Sequence, residues 1–181
     1  MAMPSPAKLE KLLAPYAGAR GLPIRVWGVD AGAVYVLPGG SALFDPTRRV
    51  VDLASPPAEA AVILGPTAGG QAGGALAAAD VIGGSSADLV IGAATNLPSR
   101  AGTVLVLEGP LAAGARDLAA QPAECVLEGP AAADRLGAAV AAGDVDGDGV
   151  ADVIAGAPGL QSVFVLAGRL DPVSCALAQP G

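Results

Sequence analysis

The stretch Asp144-Val145-Asp146-Gly147-Asp148-Gly149-Val150-Ala151-Asp152 organises the reading of the whole chain. Its carboxylates fall at positions 1, 3, 5 and 9 of a nine-residue loop, with glycines at 147 and 149. Like charges this close repel one another unless a cation lies between them. A hard ion such as Ca²⁺ takes six to eight oxygen ligands at roughly 2.3–2.6 Å. The side chains of Asp144, Asp146, Asp148 and Asp152, the Val150 carbonyl and a water would supply that number. The two glycines allow the backbone to curl at positive φ without steric cost. An EF-hand loop opens in the same way but needs a bidentate Glu at position 12. That position is Ala155, and no amphipathic helix flanks the loop, so the EF-hand is excluded. The competing account is a solvated acidic turn that binds nothing.

Working outward, a shift of 64 positions superimposes this segment on an earlier one. Asp144 falls on Asp80, Asp152 on Asp88, Gly156-Ala157-Pro158 on Gly92-Ala93-Ala94, and Leu136-Gly137 on Ala72-Gly73. Three β-like runs also correspond: Ala33–Leu37, Thr103–Leu107 and Ser162–Leu166. A further set, Val51–Pro56, Cys125–Pro130 and Cys175–Pro180, is read as closing each unit. Each unit thus reads as four short strands, with the acidic loop joining the first to the second. In the third unit these are expected at 137–142, 151–155, 162–166 and 174–178.

Strands of about five residues, rich in Val and Ala and bounded by Gly or Pro, suit sheets buried on both faces. Four-stranded units repeated at this period are the blades of a β-propeller. The expected fold is therefore all-β: a partial β-propeller of four-stranded antiparallel blades, about two and a half to three in number. Residues 1–21 are expected to be an N-terminal extension, a short helix over Pro4–Gly18 or a disordered leader. Residues 22–56 form an incomplete first blade lacking its first strand and loop, with Val26–Val29 as its second strand. Residues 57–130 form the second blade, and 131–181 the third, which carries the metal loop. In the second loop Ile82 and Gly84 replace the middle carboxylates, so that loop is expected to stay empty. A propeller needs roughly four to eight blades. The remaining blades are expected from a longer chain, with self-association as the other route.

Composition narrows the function. The chain of 181 residues has 52% hydrophobic but only 3% aromatic residues, with 26 Gly and 16 Pro, as many short strands and turns require. A net charge of −7 argues against nucleic acid and anionic membrane surfaces. There is no His, which removes the commonest general base. A serine nucleophile has no activating partner, neither cysteine has a basic neighbour, and Gly69–Gly74 lacks the G-K-S/T of a phosphate loop. The chain is expected not to be an enzyme. No apolar run is long enough to span a membrane, and no secretory signal is visible in Met1–Gly21. Cys125 and Cys175, at equivalent outer places of neighbouring units, are expected to be free thiols.

Leu136-Gly137, Gly143–Asp152 and Val153-Ile-Ala-Gly156-Ala157-Pro158 together resemble an FG-GAP repeat, with Leu136 in place of the usual Phe. That family is similar to the blades of the integrin α-subunit propeller. The resemblance implies Ca²⁺ in the Asp-rich loop, an extracellular or cell-surface setting, and binding or adhesion to a protein or glycan ligand. The alternative it leaves open is the non-catalytic propeller portion of a larger extracellular, phospholipase D-like hydrolase.

Overall fold

The computed structural model describes residues 30–39, 51–95 and 101–169. The N-terminal extension, Val26–Val29 and the strand expected at 174–178 lie outside them. The described residues form ten strands and no helix: β1 (Ala33–Val36), β2 (Ala61–Leu64), β3 (Ala75–Ala79), β4 (Asp88–Ala93) and β5 (Thr103–Leu107); then β6 (Gly114–Asp117), β7 (Cys125–Glu128), β8 (Ala139–Gly143), β9 (Asp152–Ala157) and β10 (Ser162–Leu166). They assemble into three sheets, β1-β2-β6, β3-β4-β5-β7 and β8-β9-β10. The fold is all-β, a partial β-propeller.

The second sheet is a complete antiparallel blade in chain order. Its β5, Thr103-Val-Leu-Val-Leu107, is buried at every position. Alternate side chains of a strand point to opposite faces, so an unbroken apolar run needs a neighbour on each side. Val104 and Val106 pack with Val90, Leu136, Val153 and Ala155 toward the third sheet. Leu105 and Leu107 pack with Ile91, Val34, Ala61 and Ile63 toward the first. The hydrophobic core is therefore two slabs between three blades. It is built from Val, Leu, Ile and Ala, with Phe164 packed at its margin.

Backbone contacts fix how each blade meets the next. Ala72 bridges Gly32 in parallel fashion, and Leu136 bridges Gly102 in the same way. A Cβ at Gly102 would lie 2.2 Å from the Leu136 carbonyl oxygen, and one at Gly32 would lie 2.2 Å from that of Ala72. Both glycines also hold positive φ, +84° and +82°. Only glycine meets both demands.

Two expectations are corrected. Val51–Pro56 is a turn rather than the outer strand of the first unit: the Ser55 N–H donates to the Asp52 carbonyl, and the Ala54 N–H donates to Asp52 Oδ1. The Asp, Ser and paired prolines there favour an Asx-type turn over a ladder. The outer strand is β2, which pairs with β1 from Ala33↔Leu64 to Val36↔Ala61. The first sheet thus takes its outer strand from beyond residue 56 and borrows a parallel neighbour, β6, from the second unit's β5–β7 connection. The other correction concerns the thiols. Cys125 is disulfide-bonded, and the one other cysteine of the chain is Cys175, outside the described residues.

Candidate metal centre

β8 ends at Gly143 and β9 begins at Asp152, leaving the acidic loop at the blade's end. The loop is shaped by its own carboxylates. Asp144 accepts from the N–H groups of Gly147 (2.6 Å, Oδ1) and Gly149 (2.9 Å, Oδ2). Asp146 Oδ1 accepts from the Asp148 N–H, and Asp148 Oδ1 from the Val150 N–H. Gly147 and Gly149 lie at φ +83° and +90° with open space where a Cβ would be, so conformation and not crowding calls for glycine there.

Asp144, Asp146 and Asp152 each present an oxygen within 4.8 Å of the others. Oxygens on one ion at 2.3–2.6 Å can be up to about 5 Å apart, so the spacing fits a Ca²⁺-sized ion. Of the residues expected from sequence, these three converge. Asp148 is exposed and outside that group, with one oxygen engaged by the Val150 N–H. Val150 is half-buried beside it.

Asp152 differs from its partners in being 1% exposed. The Val145 N–H donates to its Oδ2 and the Gly168 N–H to its Oδ1, at 2.8 Å each. These backbone bonds hold its carboxyl below the ordinary carboxylate range, outweighing the opposing effect of desolvation. It therefore stays ionised, supplying one fixed charge to a group whose other members face solvent.

The second loop repeats this frame. Asp80 Oδ1 accepts from Gly83 and Gly84; Asp88 Oδ2 accepts from Val81 and Ile82, and its Oδ1 from Gly109. Asp88 is 3% exposed. Asp88 and Asp152 thus tie the start of the second strand to the glycine just past the third. A Cβ at Gly109 would lie 2.1 Å from the Ala87 carbonyl oxygen, and one at Gly168 would lie 2.6 Å from that of Ala151. Sequence reasoning treated Asp152 as a ligand and the second loop as empty, and missed this anchoring. A signal was present: Leu37-Pro-Gly39, Leu107-Glu-Gly109 and Leu166-Ala-Gly168 recur after each third strand. The two loops also touch, since the Ala151 N–H donates to the Asp80 carbonyl.

Short strands joined by an aspartate loop, stacked blade upon blade through buried valines, define a propeller-blade repeat protein. Residues 136–166 match the sequence model of the FG-GAP repeat, so the third blade carries an FG-GAP repeat. No curated protein matches it. Among the described residues, no helix is long and apolar enough to cross a membrane.

Proposed function

We propose that the chain is a Ca²⁺-binding, non-enzymatic propeller segment that serves as an extracellular binding or adhesion module. The observation that carries this reading is the convergence of Asp144, Asp146 and Asp152 in a loop pre-shaped by backbone donors. Bound Ca²⁺ would neutralise the clustered carboxylates and cross-link the loop to the base of β9. The residues themselves do the rest: Asp152 is fixed by two N–H groups, and Asp144 holds the turn through Gly147 and Gly149.

The setting is supported by a second, independent feature. Cys125 is disulfide-bonded and 2% exposed, and such bonds persist in oxidising compartments. Ca²⁺ sites of extracellular modules have Kd values of roughly 10⁻⁴–10⁻³ M, suited to a calcium-rich medium. A chain without His, with a net charge of −7, suits a protein or glycan ligand better than nucleic acid.

The test is thermal unfolding with Ca²⁺ and with chelator. Ligand binding to the folded form alone stabilises it by RT ln(1 + [L]/Kd), about 1.4 kcal/mol at tenfold excess. Asp146→Asn keeps an acceptor for the Asp148 N–H but removes a charge, and should abolish most of the shift. A full Ca²⁺ response in that variant refutes the assignment.

A further inference from the structure

A second place for a ligand lies at the ladder that laces the first two blades together. There β2, β6 and the connection leading from β5 to β6 enclose a cavity of about 290 Å³. Val62, Ile63 and Leu111 contribute its apolar wall, and Glu108, Arg116 and Gln121 are its polar residues. It shares no residue with the aspartate loop. An apolar hollow with a few polar groups is the usual form of a ligand site. The volume is at the small end of such sites, enough for one long side chain rather than a large molecule.

The walls are held in place before anything binds. β6 is fixed to β2 from Ala61↔Gly114 to Leu64↔Asp117. The Gly114 and Leu118 N–H groups extend that ladder by donating to the Ala60 and Leu64 carbonyls. Arg116 is immobilised by its own partners. Its Nη2 donates to Glu124 Oε1 at 3.0 Å and its Nη1 to Glu124 Oε2 at 3.3 Å. Its Nε and Nη2 also donate to the carbonyls of Gln121 and Pro122.

These pairings leave the charges around the cavity unequal. Glu124 is matched by Arg116 and by the Glu108 N–H, which donates to its Oε2 at 3.1 Å. The Glu108 carboxylate itself is exposed and has neither a hydrogen bond nor an ion pair among the described residues. The cavity therefore carries one uncompensated negative charge beside an apolar wall. A ligand carboxylate would be repelled by Glu108, while the Arg116 charge is already engaged. The chain as a whole carries −7, and a field of that sign favours the approach of cations. Lysine answers both features, since it lays its methylene stem along apolar surface and keeps its ammonium at the wet edge.

We propose that this cavity receives a lysine side chain of a protein ligand, with the stem against Val62 and Leu111 and the ammonium paired with the Glu108 carboxylate. This rests on the reading of the chain as a binding module and names the chemistry its ligand presents. It requires no Ca²⁺.

An NMR titration of the isotopically labelled chain with Nα-acetyl-lysine N-methylamide tests the site. The backbone amide signals of Val62, Leu111 and Ala115 are expected to shift saturably in the millimolar range, while those of β8, β9 and β10 stay in place. Nα-acetyl-norleucine N-methylamide keeps the stem and lacks the ammonium; it should bind about two- to fivefold more weakly, the worth of a partly exposed ion pair. Glu108→Gln should weaken the lysine probe by the same factor and leave the norleucine probe unchanged, with signals elsewhere showing that the variant is folded. Absence of saturable shifts at the cavity overturns the proposal, as does equal affinity for the two probes or an unaltered affinity for lysine in Glu108→Gln. Cavity binding without a Ca²⁺ response in thermal unfolding supports this site and refutes the metal reading. A Ca²⁺ response without cavity binding refutes this site alone.

Discussion

Replacing Asp88 with Ala should destabilise the protein heavily without any metal being involved. The Asp88 carboxylate is 3% exposed and accepts three backbone N–H groups, from Val81 and Ile82 on Oδ2 and from Gly109 on Oδ1. Truncation orphans all three donors. The Val81 group is buried and carries the full cost of an unsatisfied donor, about 1–3 kcal/mol. The other two are part-buried and partly recover hydration, so the total comes to about 3 kcal/mol. Against a native stability of about 5–15 kcal/mol this is a large fraction. In urea, with m of roughly 1–3 kcal/mol/M, the midpoint should fall by about 1–3 M at unchanged slope. Asp88→Asn should recover little, because its single oxygen serves only one side and its NH₂ group opposes a donor on the other. Both variants should lose the same amount in Ca²⁺ and in chelator. A loss below about 1 kcal/mol for the Ala variant would show that the second loop is not pinned by this residue.

Gly102→Ala should be worse than an ordinary glycine substitution, since its Cβ would meet the Leu136 oxygen and nitrogen at 2.2 and 2.3 Å in a positive-φ residue. A cost under about 2 kcal/mol by urea unfolding would mean that the blades slide apart easily. Reducing the Cys125 bond should lower stability by about 2–4 kcal/mol, as is typical of a disulfide; unfolding with and without reductant measures it, and coincident curves contradict it. The Asp152 carboxyl titrates below its ordinary 3.8 in the folded protein. Its stabilisation is thus complete above the unfolded value and lost as pH falls through the folded one. The stability gap between wild type and Asp152→Asn, in chelator, should therefore narrow as the pH is lowered below about 4; a gap independent of pH contradicts the ionised anchor.

The third strands were legible in the sequence because Val-x-Val patterns between turn residues have one natural reading. Thr103–Leu107 and Ser162–Leu166 coincide with β5 and β10, and Ala33–Leu37 differs from β1 by one residue. The third unit's first two strands sit within two residues of expectation. The outer strand of the first unit was missed because Val51-Asp-Leu mimics Cys125-Val-Leu up to a shared Pro. Ala61-Val-Ile-Leu-Gly65-Pro66 fits better, being 64 positions before Cys125–Pro130, the same shift that aligns the aspartates. β6 could not be read, since Gly114-Ala-Arg-Asp117 carries no strand pattern and becomes a strand only by lying along β2. In the loop, residue types announced a cation but gave no hint that Asp152 would be buried and backbone-bound while Asp148 faced water. Burial of that kind depends on where the Gly168 N–H falls, sixteen residues on.

The parallel strand β6 has a consequence for how the molecule comes apart. Stacked repeats ordinarily fray from whichever terminal unit is least tied to its neighbour. Here the first sheet is laced into the second by a shared ladder from Ala61↔Gly114 to Leu64↔Asp117, so those two units melt as one body. Among the described residues the third sheet shares no strand ladder with the second and is joined to it by the packed valines, the Gly102–Leu136 bridge and the Ala151–Asp80 hydrogen bond. The last of these starts in the aspartate loop itself, so an ion that stiffens the loop, as proposed, would also steady the seam between the two blades.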